Sequence, residues 1–104
     1  MRYAWTTEEL GYDPDASCFL LRRVAKAPSP PAVLLHDEDG NWEAHADDES
    51  DAEQEEPGAV LLWTTGYLAD RFPDVAAVLQ EATRTGVRGE AWWRWSEGAY
   101  VRQD

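Results

Sequence analysis

Eleven carboxylates stand between Asp37 and Glu56: Asp37, Glu38, Asp39, Glu43, Asp47, Asp48, Glu49, Asp51, Glu53, Glu55 and Glu56. No Lys or Arg interrupts them. The other ten acidic residues are nearly balanced by nine basic ones, so the formal charge of −12 is concentrated in this stretch. A compact negative field repels nucleic acid and steers a basic protein surface toward it. Carboxylates spaced like backbone phosphates could occupy a groove built for DNA or RNA. The same run also serves as a solvating loop, and a disordered loop would lose entropy on docking.

Two metal readings compete for the same residues. Asp37-x-Asp39-x-Asn41 begins like a calcium loop. Such a loop needs Gly at position six and Glu at position twelve; here Gly40 falls at four and Asp48 at twelve. A hairpin turn explains those residues better. His36, Glu43 and His45 would share one hairpin face if the turn is two residues long, within reach of one zinc-sized ion. A slip of one residue scatters them, and the set has no fourth group. No metal and no cofactor is therefore assigned.

Nucleophilic chemistry has little footing. Cys18 lies in an apolar run without a neighbouring His, the setting of a buried small hydrophobe rather than a thiolate. The chain has no G-x-S-x-G, phosphate-binding loop or dinucleotide fingerprint, and no catalytic residue is named. The six Trp residues are the other resource. Side chains alternate along a strand, so Trp93 and Trp95 pointing inward would turn Trp92 outward beside Arg94, unless a second layer or long neighbouring side chains cover it. An exposed Trp next to an Arg is the composition of a binding hot spot.

The elements that must carry these groups follow from pattern. A chain of 104 residues supports one domain. Arg2 to Thr6 alternates like a strand, and Thr6-Thr7-Glu8-Glu9 reads as a capping box opening a helical turn. Ser17 to Ala25 is expected as a strand, with a helix as the rival. Pro28 to Pro31 is an extended connector. Val33 to Ala46 predicts a hairpin about Asp39-Gly40. With a two-residue turn His36 faces Glu43; Val33, Leu35, Trp42 and Ala44 share one face. Residues 47–58 show no periodicity and are expected as a mobile acidic loop. Ala59 to Thr64 is a continuous apolar run, as for a central strand covered on both faces.

Val75, Val78, Leu79 and Ala82 recur at helical spacing, predicting a helix over about 74–85 that ends at Gly86. Gly89 to Trp95 and Ala99 to Gln103 predict a terminal hairpin about Glu97-Gly98, with Trp95 facing Tyr100 and Trp93 facing Arg102. The fold class is α+β: a mostly antiparallel sheet of five to seven short strands with one main helix on one face. One parallel pair is allowed where that helix links Ala59–Thr64 to the terminal hairpin. The apolar strand, the helices ending LQEATRTG and the following strand, Val60 to Trp95, resemble the last part of barstar-type ribonuclease inhibitors. The resemblance covers about a third of the chain and is one of supersecondary pattern. The inhibitory helices of that family have no counterpart here, and no residue roles carry over. It implies an inhibitor.

One cysteine excludes an intramolecular disulfide, and no run approaches the roughly 20 apolar residues of a membrane span. A cytoplasmic protein is expected. The scattered basic residues give no stripe for nucleic acid. The leading expectation is an acidic module that binds and occludes a basic, nucleic-acid-handling protein. Residues 37–56 would steer it, and Trp42 or Trp92 would anchor it. The alternatives are a small-molecule or catalytic domain with a pocket lined by Trp63, Trp93, Trp95 and Tyr100, and a structural subunit or homodimer.

Overall fold

The computed structural model describes residues 7–103. The strand expected at Arg2–Thr6 and the Thr6 cap lie outside them. Helix α1 (Thr7–Leu10) is the turn expected after that cap. Strand β1 (Ser17–Leu21) gives way at once to helix α2 (Arg22–Lys26). Ser17 to Ala25 is thus half strand and half helix, so each rival reading holds for half of it. Lys26-Ala27-Pro28 ends α2, because a residue before proline is driven out of the helical region; Ala27 is extended.

Strands β2 (Val33–His36) and β3 (Trp42–His45) form the expected hairpin, one residue out of the expected register. His36 faces Trp42, Leu35 faces Glu43 and Leu34 faces Ala44. The cause is the Asp37 carboxylate. One of its oxygens accepts from the Asp39 and Asn41 backbone N–H groups at 2.8 and 2.9 Å. The Asp37 N–H donates to the Asn41 carbonyl. This side-chain-closed loop is wider than a two-residue turn, with Gly40 at the one position needing a left-handed backbone, φ +85°.

Helix α3 (Asp51–Glu55) lies within the expected acidic loop. Ser50 caps it, its Oγ accepting from the Glu53 N–H. Strand β4 (Val60–Thr64) is followed by α4 (Thr65–Arg71), whose N-cap Thr64 accepts from the Tyr67 N–H at 3.2 Å. Helix α5 (Val75–Thr85) buries the expected stripe of Val75, Val78, Leu79 and Ala82 and stops at the left-handed Gly86. Strands β5 (Ala91–Ser96) and β6 (Ala99–Gln103) close the chain in the expected register. Trp95 meets Tyr100 edge-on at 5.0 Å, and the Arg102 guanidinium lies 5.6 Å from the Trp93 ring.

The architecture is α+β. Among the described residues one six-stranded mixed sheet runs β4-β1-β3-β2-β5-β6. The parallel pair is β1 with β3, not β4 with the terminal hairpin. Among the described residues the apolar run of β4 therefore sits at an edge, paired with β1 and exposed on one face, rather than at the centre. An apolar run marks a strand that covers something; it does not say from how many sides the strand is covered.

The core lies between one sheet face and helices α4 and α5. Cys18, Leu20, Leu34, Trp42, Ala44 and Trp93 from the sheet pack with Leu68, Phe72, Val75, Val78 and Leu79. The buried polar groups are satisfied. Thr65 Oγ1 donates to the Asp13 carbonyl at 2.7 Å, and Trp93 Nε1 donates to Glu81 at 2.7 Å. Burial pushes the Cys18 thiol up to about 12, so it stays protonated at neutral pH.

Candidate functional site

Because side chains alternate, the face opposite the core is read directly from the register. One row crosses the whole sheet there: Leu62, Phe19, Glu43, Leu35, Trp92, Gln103. Leu62 is 62% exposed, and Phe19, Val60, Trp92 and Val101 are exposed on the same face. Scattered apolar side chains need no explanation, but neighbours in register on an uncovered sheet face form a patch. Glu43 stands in its middle.

The acidic segment folds over one end of this face. Glu49, its side chain almost wholly buried, is the pin. It accepts from His45 Nδ1 at 2.8 Å, from Gln54 Nε2 at 3.1 Å and from the Ala46 N–H. The other ring nitrogen of His45, Nε2, faces Glu43 at 2.9 Å. Ionised carboxylates only accept, so both contacts are hydrogen bonds when the imidazole is doubly protonated. Burial works against that charge. The hydrogen bonds and attraction of Glu49 and Glu43 outweigh it, and the pKa of His45 is raised.

Arginines hold the rest of the segment. Arg23 pairs with both Asp48 and Glu53, keeping the two carboxyls below their ordinary range. Arg94 pairs with Asp47 at 2.6 Å. These pairs are exposed, so each contributes little to stability on its own; what they set is direction. Gln54 and Glu49 then border a crevice of about 70 Å³ with Phe19, Glu43, His45 and Val60.

The structure divides the sequence-predicted site. Asp37, Glu38 and Asp39 occupy the β2–β3 turn, at the opposite end of β3 from Asp47–Glu56. The intervening strand is roughly 10 Å long. The eleven carboxylates are therefore two groups with Glu43 between them. Asp37 is consumed by its own turn; Asp47, Asp48, Glu49 and Glu53 have internal partners. Glu38, Asp39, Asp51, Glu55 and Glu56 are exposed. Trp92 lies outward, with Arg94 over its ring at 5.9 Å.

Three expectations are corrected. Trp42 is 6% exposed and packs on Trp93 at 5.5 Å, so it is a core residue rather than the exposed anchor expected. His36 is on the core face, its Nδ1 2.8 Å from the Gly89 carbonyl, while Glu43 and His45 are on the other; the shifted register parts the zinc candidates. Among the described residues no group of three His, Cys, Asp or Glu is arranged to hold a metal ion. Trp63 sits on strand β4 against Tyr67, four strands from Trp95 and five from Tyr100, so the four rings line no common pocket. The cavity beside Trp93 and Tyr100, about 270 Å³, is lined instead by α5 residues including Ala77 and Glu81.

The His45–Glu49 contact was missed in the sequence, although its four-residue spacing was visible. The exposed Phe19–Leu62 pair carried no local signal, because it depends on which strand lies next to β1. Among the described residues, no helix is long and apolar enough to cross a membrane. No family model, curated protein or solved structure matches this chain. Fold and surface together define its class: an α+β protein with a mixed sheet, helix-covered on one face and bearing an acid-bordered apolar surface on the other.

Proposed function

We propose that this chain is an interaction module rather than an enzyme, acting in the cytoplasm, that binds and occludes a basic protein surface of the kind that handles nucleic acid. The observation that carries the reading is the exposed cross-sheet row. Two apolar pairs, Leu62–Phe19 and Leu35–Trp92, flank Glu43 on a face bordered by the acidic segment. Apolar centres anchor a complex, whereas charged borders steer encounter. The outward carboxylates Glu38, Asp39, Asp51, Glu55 and Glu56 supply the steering. Trp92 and Phe19 take the anchoring role that Trp42 cannot fill.

The test is kinetic. A partner captured from host lysate should associate at least about tenfold more slowly as salt is raised from low to high. Deleting Asp47–Glu56 should remove most of that salt dependence and weaken biological activity. An on-rate flat across salt, or full activity after the deletion, would sink the reading.

A further inference from the structure

We infer that the outer edge of β4 receives an extended, cationic segment of the partner as an added strand; this deepens the docking reading above and rests on it. Among the described residues β4 pairs only with β1. Two hydrogen bonds set the phase of that pairing: Arg22 N–H to the Ala59 carbonyl and Thr65 N–H to the Ala16 carbonyl, both 2.8 Å. In an antiparallel ladder, residues exchange both bonds at alternate positions. Leu61 and Trp63 therefore turn their main-chain groups toward β1. Val60 and Leu62 turn theirs outward, along an edge that no other described strand pairs with.

Edges are normally blunted by charge, proline or a bulge. The other edge, β6, carries Arg102. Strand β4 reads VLLWT, with neither charge nor proline, and pairs with β1 over its full length without a bulge. The same two residues whose main chain faces outward, Val60 and Leu62, also expose their side chains on the open face. A strand laid alongside would pair its main chain with theirs and its apolar side chains with Leu62 and, beyond it, Phe19. Strand addition supplies main-chain affinity while alternate side chains supply selectivity.

Charge chooses the occupant. Glu55 and Glu56 lie just before Val60, and Glu43 faces Phe19 across the open side. Three cations stand at that end: Arg23 is already paired with Asp48 and Glu53, Arg22 donates to the Gly58 carbonyl, and Lys26 borders the same crevice as Glu53 and Glu56. A second copy of this chain would bring another −12 to the contact. An incoming strand with lysines between its apolar residues meets the opposite charge.

The probe is a blocked heptapeptide alternating Val and Lys, with a Val–Glu peptide as control. Amide hydrogen exchange is read residue by residue. The Val–Lys peptide should slow exchange at Val60 and Leu62 by about tenfold or more. Leu62→Pro, tolerated where the N–H faces outward, should weaken binding about tenfold; if that variant fails to fold, Leu62→Lys should weaken it similarly by repulsion. Equal binding to wild type and both variants would overturn strand addition while leaving the acidic docking reading intact. Equal binding of the Val–Glu control would instead overturn the cationic requirement and the docking reading with it. Protection of Val60 and Leu62 in the protein alone, rising with concentration, would assign the edge to a second copy and overturn the proposal.

Discussion

Two rows of side chains, one residue apart along every strand, have opposite fates in this sheet. Leu61, Leu20, Ala44, Leu34, Trp93 and Arg102 run across the helix-covered face; Leu62, Phe19, Glu43, Leu35, Trp92 and Gln103 run across the other. Both are largely apolar. In the first, four of six are buried and the Trp93 N–H has its carboxylate partner. In the second, three large apolar side chains remain exposed around one carboxylate. Composition does not separate a core from a binding surface here. Coverage does, and coverage belongs to where α4 and α5 pack.

The sharpest break of this comparison is the adjacent tryptophan pair. Trp93→Ala should cost about 3–5 kcal/mol of unfolding free energy, since it opens the core and orphans Glu81. Denaturant unfolding reads it. Trp92→Ala should leave the fold nearly unchanged yet weaken partner binding by about 2 kcal/mol if Trp92 is an anchor; titration calorimetry separates the two. Thr64 ends the exposed strand but caps a helix of the covering layer, so Thr64→Ala should cost about 1 kcal/mol, visible in the thermal midpoint.

His45 gives a smaller, pH-dependent effect on the open side. Its folded pKa is raised above the ordinary value of about 6.5 by Glu49 and Glu43, against burial. The stabilisation is therefore complete below that value and is lost as pH rises through the folded pKa. The thermal midpoint should fall over that window, and His45→Ala should remove this component; an identical pH profile in the variant would refute the clamp. The smallest effect belongs to Leu62→Ser, expected within about 0.5 kcal/mol of wild-type stability. A large loss there would mean that something covers this face.

Much of the scaffold was legible. The spacing of Val75, Val78, Leu79 and Ala82 fixed the main helix, and Glu97-Gly98 fixed the terminal hairpin to the residue, because both signals are local. The β2–β3 register was missed because a single carboxylate, Asp37, closed its loop with two hydrogen bonds and shifted every later residue by one. That shift moved Trp42 to the core and His36 away from Glu43 and His45. The acidic run was legible as composition. Its division into a turn, a buried pin at Glu49 and an outward group was not, since Arg23, Arg94 and His45 lie on separate elements.

Chain order alone determined the α+β class, the main helix, the opposite facing of Trp92 and Trp93 and the concentration of carboxylates in one stretch, because periodicity and charge are properties of neighbours in sequence. Only tertiary structure decided that β4 lies at an edge among the described strands, that Leu62 meets Phe19, and that one apolar row is covered by helices while half of its twin is exposed. Strand neighbours and helix placement are set by contacts between residues far apart in the chain, and no local pattern encodes them.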